Sequence, residues 1–222
     1  GRLFRQLVYN RCHAVIDQLC DRLKVVGWDA SADATDEIVQ HAQEIWAREH
    51  LATRQTEVMR EALRAGDAYL LIWADRDTGK ARFYINPAHL MHVVYDEEEP
   101  DRALYAVKCW QLRRGQLAGH WRVNVYDAAV VQRFVTANAT EEMPTKADRL
   151  IPYEDDEPAE SPNPWGIMPV VHFANDADTG CCGRSELADV IPLQDGLNKS
   201  LADMLVASEF AAYPQRWVIA TL

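Results

Sequence analysis

Histidine and acidic residues occur at one spacing that is typical of metal ligands. His89 and His92 are three positions apart and lie close to Asp96 in the chain, and these side chains are ones that bind divalent metals. The segment is predicted to be a strand, and residues three apart on a strand point to opposite faces of the sheet. We therefore favour ordinary strand histidines over a metal site.

Two glycine-containing segments have some features of a phosphate-binding loop. Residues 180–183 (GCCG) come directly before a predicted helix, whose N-terminus could attract an anion. Residues 78–80 (TGK) combine a glycine with a lysine. Neither segment has the Walker spacing or the glycine spacing of a dinucleotide-binding loop. A tight turn explains the first segment, and a hairpin tip explains the second.

The remaining candidates for chemistry are two acidic runs and a cysteine–histidine pair. Residues 96–101 (DEEEPD) and 154–157 (EDDE) could collect cations, but neighbouring carboxylates on a loop are usually solvated. Cys12 and His13 are adjacent on a predicted helix and therefore point in different directions. No G-x-S-x-G, H-E-x-x-H or kinase-type motif occurs in the sequence. We predict no catalytic residues, no cofactor and no metal site.

The composition is that of an acidic globular protein. The 222 residues carry 23 basic and 34 acidic side chains, for a net charge of −11. This balance argues against a protein that grips nucleic acid through phosphate contacts, although a conduit through which DNA slides would tolerate it. No apolar run approaches the ~20 residues that span a bilayer. Five cysteines without a paired or zinc-like spacing are expected to be reduced thiols.

Three helices and a series of strands are predicted from periodicity. The first helix covers residues 3–20. The second begins at capping residues within 33–36, and its Ile38 and Trp46 should face inward. The third covers residues 52–65 and ends at Gly66. A short strand is predicted at 23–26. After Gly66 the apolar period changes to that of an antiparallel meander, followed by a long surface loop at 136–168. The predicted meander strands are residues 68–74, 81–85, 91–95, 103–112, 121–126 and 130–135.

These elements precede the stretch around which the chain is organised, residues 183–217. Ser185 is placed to cap a short helical turn, and Pro192 predicts either a kink or a new helix start. A long amphipathic helix should then continue to Ala212, because Tyr213 precedes a proline. Its apolar stripe consists of Leu193, Leu197, Leu201, Met204, Leu205 and Ser208, with Gln194, Asp195, Asn198, Lys199 and Asp203 on the other faces.

The order of short motifs in this stretch resembles the stem region of portal proteins from tailed phages of siphovirus type. Upstream, residues 169–173 (PVVHF) with Asn175 resemble the strand that leads into that stem. The resembling residues are Gly183, Arg184, Ser185, Glu186, Leu193, Gln194, Asp195, Asn198, Lys199, Asp203, Met204, Glu209, Pro214, Gln215, Arg216 and Trp217.

The resemblance implies an α+β fold with N-terminal helices packed on a mostly antiparallel β meander, followed by a long stem helix. By the same resemblance, residues 1–182 would form a wing-like α/β domain, 183–214 the stem region and 215–222 the start of a clip. The sequence would correspond to the N-terminal half of such a protein. It begins at Gly1 without an initiator methionine, so we expect a piece of a longer chain.

For function, the resemblance implies a homo-oligomeric ring, generally a dodecamer, at one vertex of the capsid. Double-stranded DNA would pass through this ring without sequence specificity, and Lys199 could contact its phosphates. The implied partners are the major capsid and scaffolding proteins, the terminase large subunit, which carries the ATPase, and the head–tail connector; no membrane is involved. The protein would reside in the virion, and in the host cytoplasm during assembly.

Two other classes of function remain open from the residues alone. One is a metal-dependent hydrolase or nuclease that uses the carboxylates of residues 96–99 or 154–156. The other is an interaction module of a different virion or prophage assembly, which would not form rings. Metal-dependent activity would favour the first, and the absence of rings would favour the second.

Overall fold

Among the residues that the structure describes, three α-helices precede the strands and a fourth follows them. The computed structural model describes residues 9–27, 35–75, 77–154, 158–177, 182–213 and 218–220. The helices are α1 (Cys12–Cys20), α2 (Asp36–Arg48), α3 (Leu51–Ala65) and α4 (Val190–Ala212). The strands are β1 (Asp67–Ala74), β2 (Ala81–Pro87), β3 (Met91–Tyr95), β4 (Ala103–Gln111), β5 (Trp121–Tyr126), β6 (Val130–Thr136), β7 (Leu150–Pro152), β8 (Glu160–Pro162) and β9 (Val170–Ala174).

The strands form two antiparallel sheets. The predicted meander is confirmed for β3 to β6, which pair in sequence order. The hairpin of β1 and β2 belongs to a separate three-stranded sheet with the order β2-β1-β9. β1 lies in the middle of this sheet and pairs with β9, so that Ala68 is opposite Phe173. The predicted α+β class is confirmed, with two sheets in place of a single meander.

The segment at 136–168 is more ordered than the predicted surface loop. β7 and β8 both pair with β6 and extend the second sheet to six strands. Asn163 is buried, and its side-chain amide donates hydrogen bonds to the carbonyl oxygens of Asp127 and Ile167. The loop prediction was wrong here, because main-chain and amide hydrogen bonds to β6 and its flanks hold this polar segment in place.

Three details of the predicted N-terminal region were wrong. α1 begins at Cys12, because the Asn10 side chain accepts a hydrogen bond from the Cys12 N–H just ahead of the helix. Residues 23–26 form no strand, since the Val25 N–H is bonded to the Gln55 side chain. Ile38 is exposed, although Trp46 is half-buried as predicted. Residues 1–8 and 28–34 lie outside the described residues.

The elements pack as three layers. α3 covers one face of the three-stranded sheet through Val58, Ala62 and Ala68. The other face of that sheet packs on the six-stranded sheet, where Tyr69 and Val93 are among the most deeply buried side chains. This alternation follows from the period of two along β1. α1 packs on α3 through Ile16, Cys20 and Leu63.

Candidate assembly site: the long helix, its anchor and its outer face

The candidate site is α4 together with the segment that fixes its base. α4 begins at Val190, so Pro192 lies in the first turn of the helix, two residues after the helix start. Proline is tolerated at this point because first-turn N–H groups lack intrahelical partners. The helix ends at Ala212, as Tyr213 and the following proline predicted. Pro214, Gln215, Arg216 and Trp217 lie outside the described residues.

Residues before α4 complete the C-terminal end of α3. The last carbonyl groups of a helix have no donor within the helix and require donors from outside it. The Leu63 carbonyl accepts a hydrogen bond of 2.9 Å from the Glu186 N–H. The Arg64 carbonyl accepts one of 2.6 Å from the Ser185 hydroxyl. The Ser185 oxygen also accepts from the Leu187 N–H, so it caps the turn as predicted.

Two glycines meet at this junction with no space for a side chain. A Cβ on Gly66 would lie 2.5 Å from the Gly183 carbonyl oxygen. A Cβ on Gly183 would overlap the Gly66 carbonyl oxygen and come within 2.6 Å of the Asn175 nitrogen. Gly66 also has a φ of +96°, which other residues rarely adopt. The end of α3 and the start of the α4 segment therefore touch through their backbones.

Asn175, just after β9, bonds to both of these segments. Its N–H donates to the Gly66 carbonyl, and its carbonyl accepts from the Arg184 N–H at 2.7 Å. Its side-chain amide donates to the Arg184 carbonyl at 2.8 Å and to the Glu186 carboxylate at 3.0 Å. The Arg184 guanidinium in turn pairs with Asp189 at the N-terminus of α4. These bonds fix the approach to the helix.

A buried histidine connects the same junction to the second sheet. One nitrogen of His172 lies 2.8 Å from Asp67 Oδ1, and the other lies 2.9 Å from the Tyr95 hydroxyl. The imidazole stacks on Tyr69 with 4.6 Å between ring centroids. Asp67 Oδ1 also accepts the Gly183 N–H at 2.7 Å. This Tyr95–His172–Asp67 chain links β3, β9, β1 and the α4 segment.

α4 contacts the N-terminal region through polar side chains. The Gln194 Oε1 atom accepts from the Arg11 N–H at 2.9 Å, and its amide donates to the Tyr9 carbonyl. The Asn198 Oδ1 atom accepts from the Tyr9 N–H at 3.3 Å. Both amides belong to the half-buried face of the helix. The helix is thus held by hydrogen bonds to backbone, with little apolar burial.

The predicted apolar stripe faces solvent. Leu193, Leu197 and Met204 are 75%, 43% and 59% exposed. An amphipathic helix normally turns its apolar stripe toward a core, and here the half-buried face carries Gln194 and Asn198 instead. The other members of the stripe are Leu201, which is half-buried, and Leu205 and Ser208, which are exposed. This outer face is an apolar surface on a single copy of the chain.

A charged face lies on the opposite side of α4. Lys199 is exposed and lies roughly 200° around the helix from Leu197. Asp195 and Asp203 flank it one turn away on either side, and both are exposed. Glu209 is exposed near the C-terminal end of the helix. The helix therefore separates an apolar face from a hydrated, charged face that includes the candidate DNA contact.

The predicted chemistry candidates do not come together as a catalytic site. His89 lies in the turn before β3, so the strand argument did not apply to it, and it lines one surface cleft with His92 and Cys109. In the described ranges, no three His, Cys, Asp or Glu side chains are grouped so as to hold a metal ion. Of the acidic run at 154–157, only Glu154 is among the described residues.

Sequence reasoning missed the contacts of Asp67, His172 and Tyr9. His172 and Asn175 were noted only as part of a resembling motif, although a histidine inside an apolar strand was a usable signal. Tyr9 gave none, because its contacts use backbone groups. None of the helices that the structure describes has the length and apolar character of a membrane span.

An α+β domain that fixes the base of a 23-residue helix and leaves its apolar face open has the kind of surface that marks a contact with another molecule. A sequence profile described as phage portal protein, SPP1 Gp6-like, matches residues 24–219. Because this match covers most of the chain, the chain belongs to the SPP1 Gp6-like family of phage portal proteins, which are structural proteins of the virion. No match was found among the curated proteins.

Proposed function

We propose that this chain forms a closed homo-oligomeric ring at one capsid vertex, through which double-stranded DNA is packaged and later ejected. Membership of the portal family supports this proposal. The observation that carries it is the outer face of α4, on which Leu193, Leu197 and Met204 are exposed together. Apolar patches of this kind are unfavourable on a monomer and are typical of interaction surfaces.

In this proposal the outer face of α4 contacts neighbouring subunits. Burial of apolar side chains would stabilise the ring by about 25 cal/mol per Å² removed from water. The charged face around Lys199 would then be left for the channel, where weak contact with phosphate suits a sliding polymer. Residues 1–182 would serve as the wing-like domain, 183–214 as the stem region and 215–222 as the start of the clip.

The ring is proposed to be a dodecamer that works with several partners. Major capsid and scaffolding proteins would surround the wing-like domain during assembly in the host cytoplasm. The terminase large subunit would supply the ATPase that drives packaging, and the head–tail connector would bind after packaging. The portal chain itself would then contribute no catalysis and would act through shape, charge and assembly.

The first test is whether the full-length protein forms rings. Mass photometry and negative-stain microscopy should show closed rings with a central hole for the wild type. Replacing Leu193, Leu197 and Met204 by serine should give monomers that keep the helical circular dichroism of the wild type. The matched control replaces Asp195 and Asp203 by serine on the opposite face and should still form rings.

Two results would overturn the proposal. A wild type that stays monomeric at every concentration and salt tested would favour the alternative that the chain is an interaction module of another assembly. Divalent-metal-dependent stabilisation together with turnover of a phosphodiester substrate would instead favour the hydrolase or nuclease alternative.

A further inference from the structure

A cleft between the two sheets has a basic and aromatic wall. Neighbouring strands place Lys108 of β4, Asn124 of β5 and Arg133 of β6 in one cross-strand row. The adjacent row holds Trp110 opposite Arg122. All five side chains line a cleft of about 390 Å³.

Two cations in this cleft share an aromatic ring and have no acidic partner among the described residues. The Lys108 ammonium lies 5.1 Å from the centroid of Trp110, and the Arg122 guanidinium lies 5.4 Å from the same centroid. Arg122 also lies over the ring of Tyr153 at 4.7 Å and bonds to Asn124. Like charges held together in a partly buried site favour an anion between them.

The electrostatics of Lys108 favour the binding of an anion. Burial lowers the pKa of Lys108, and the nearby charge of Arg122 lowers this pKa further. The net charge of the whole chain is −11, so the charge of this basic pair is opposite in sign to that of the chain. A bound anion would offset both effects, because its charge would stabilise the two cations together.

Carboxylates at the edge of the cleft select against a polyanion. Asp75 and Asp77 both line the cleft. Asp75 stays ionised, because hydrogen bonds from the Thr78 hydroxyl and N–H lower its pKa. A phosphate backbone would bring several charges against these two groups, whereas a single carboxylate side chain could reach the cations past them. The cleft fits one carboxylate better than nucleic acid.

The same strand carries a concentration of carboxylates at its other end. The turn at 96–101 precedes β4 and contains five acidic residues, of which Asp96 and Glu99 pair with Arg102. Glu97 and Glu98 are exposed. From Arg102 to Trp110 the strand rises roughly 27 Å at about 3.4 Å per residue. One copy of the chain thus presents opposite charges at opposite ends of one strand.

We propose that the Lys108–Arg122 cleft binds a carboxylate from the acidic turn, residues 96–101, of a neighbouring copy of this chain. Such a head-to-tail contact joins two different surfaces and closes into a ring when the rotation between copies allows. The inference rests on the proposed ring and assigns part of its subunit interface. Partial burial makes this ion pair stronger than an exposed one.

The test is charge reversal in the full-length protein. The readout is the subunit concentration at which half the chains are in rings. Arg122→Glu alone, or Glu97→Arg with Glu98→Arg, should raise this concentration by about 10-fold or more, because a 1.4 kcal/mol loss corresponds to tenfold. Combining all three substitutions in one chain should restore most of the loss. Lys108→Gln, a milder change, should weaken assembly in the same direction.

Two control variants test where the carboxylate comes from. Glu141→Arg with Glu142→Arg reverses two exposed charges elsewhere and should leave assembly unchanged. Neutralising Asp155, Asp156 and Glu157 should also leave it unchanged; a loss equal to that of Arg122→Glu would assign the carboxylate to residues 155–157 instead of the acidic turn and overturn the inference. Rings that tolerate every reversal would overturn it while leaving the proposed function intact. A wild type without rings would overturn the proposed function, and the inference with it.

Discussion

At the scale of single residues, Asp67 accepts two hydrogen bonds through one oxygen. His172 and the Gly183 N–H both bond to its Oδ1 atom, at 2.8 and 2.7 Å. The first bond connects two strands of one sheet, and the second holds the segment that leads into α4. Since the imidazole also bonds to Tyr95 of the other sheet, a single acidic side chain couples the sheets to the helix.

Replacing His172 by phenylalanine should lower the free energy of unfolding by about 1–3 kcal/mol. The substitution keeps an aromatic ring beside Tyr69 but leaves Asp67 and Tyr95 each short of one hydrogen-bond partner. The control is His92→Phe, an exposed strand residue, which should change stability by less than about 0.5 kcal/mol. Urea unfolding measures both. Equal effects would show that the hydrogen bonds of His172 contribute nothing.

The two glycines of α4 and its lead-in segment should respond to alanine in opposite directions. Gly183→Ala should destabilise by about 1–3 kcal/mol, because its Cβ would meet the backbone of Gly66 and Asn175. Gly196 lies inside α4 with nothing within 4 Å of its Cβ position. Gly196→Ala should therefore stabilise by about 0.5–1 kcal/mol. Thermal unfolding measures both variants. If the two unfolding temperatures shift in the same direction, the close backbone contact at the junction is contradicted.

At the scale of elements, sequence periodicity predicted the helices and strands that have long runs. α3, the β1–β2 hairpin and the strands β3 to β6 were predicted within a few residues. β7 and β8 were missed because three residues are too few to show a period. The pairing of β9 with β1 was missed because the two strands are separated by all the others. Local patterns carry no information about such distant partners.

The apolar stripe of α4 was predicted, but its direction was not. Periodicity identifies which residues share a face, and it is the same whether that face meets a core or solvent. The direction is set by Gln194 and Asn198, which bond to the backbone at Tyr9 and Arg11. A polar contact of this kind depends on the tertiary structure and leaves no mark in the hydrophobic pattern.

Within β4, Lys108 should make stability depend on alkaline pH. Its pKa in the folded state lies below the ordinary value of 10.5, so between the two values the unfolded chain binds more protons. Stability should then rise with pH across that window. Lys108→Met should remove this rise and increase stability near neutral pH by at most about 1 kcal/mol, a value reduced for partial exposure. Urea unfolding of both proteins from neutral pH to pH 10.5 tests this. Equal slopes of the free energy of unfolding against pH would refute it.

At the scale of the whole molecule, charge is distributed unevenly over an acidic chain. The net charge is −11, yet the Lys108–Arg122 cleft and the exposed Lys199 are local basic sites. In a ring these positions would have different roles, one between subunits and one toward the channel. The overall acidity would keep packaged DNA from adhering to the remaining surface.

Replacing Lys199 by glutamate should reduce the yield of packaged DNA several-fold in a packaging assay. The substitution converts an attraction for phosphate into a repulsion at the charged face of α4. Lys24→Glu is the control, since Lys24 is exposed outside any helix or strand and the change in net charge is the same. An unchanged yield for Lys199→Glu would remove this residue from the channel contacts.

The contact between Gly66 and Gly183 also determines how the molecule would carry mechanical force. The chain leaves α3 at Gly66 and returns to the same point at Gly183, after both sheets have been formed. Tension applied along α4 would reach α3 through the hydrogen bonds of Ser185, Glu186 and Asn175. The junction would therefore take the load first, and β1 and β9 would receive it only through the hydrogen bonds of Asp67 and Asn175.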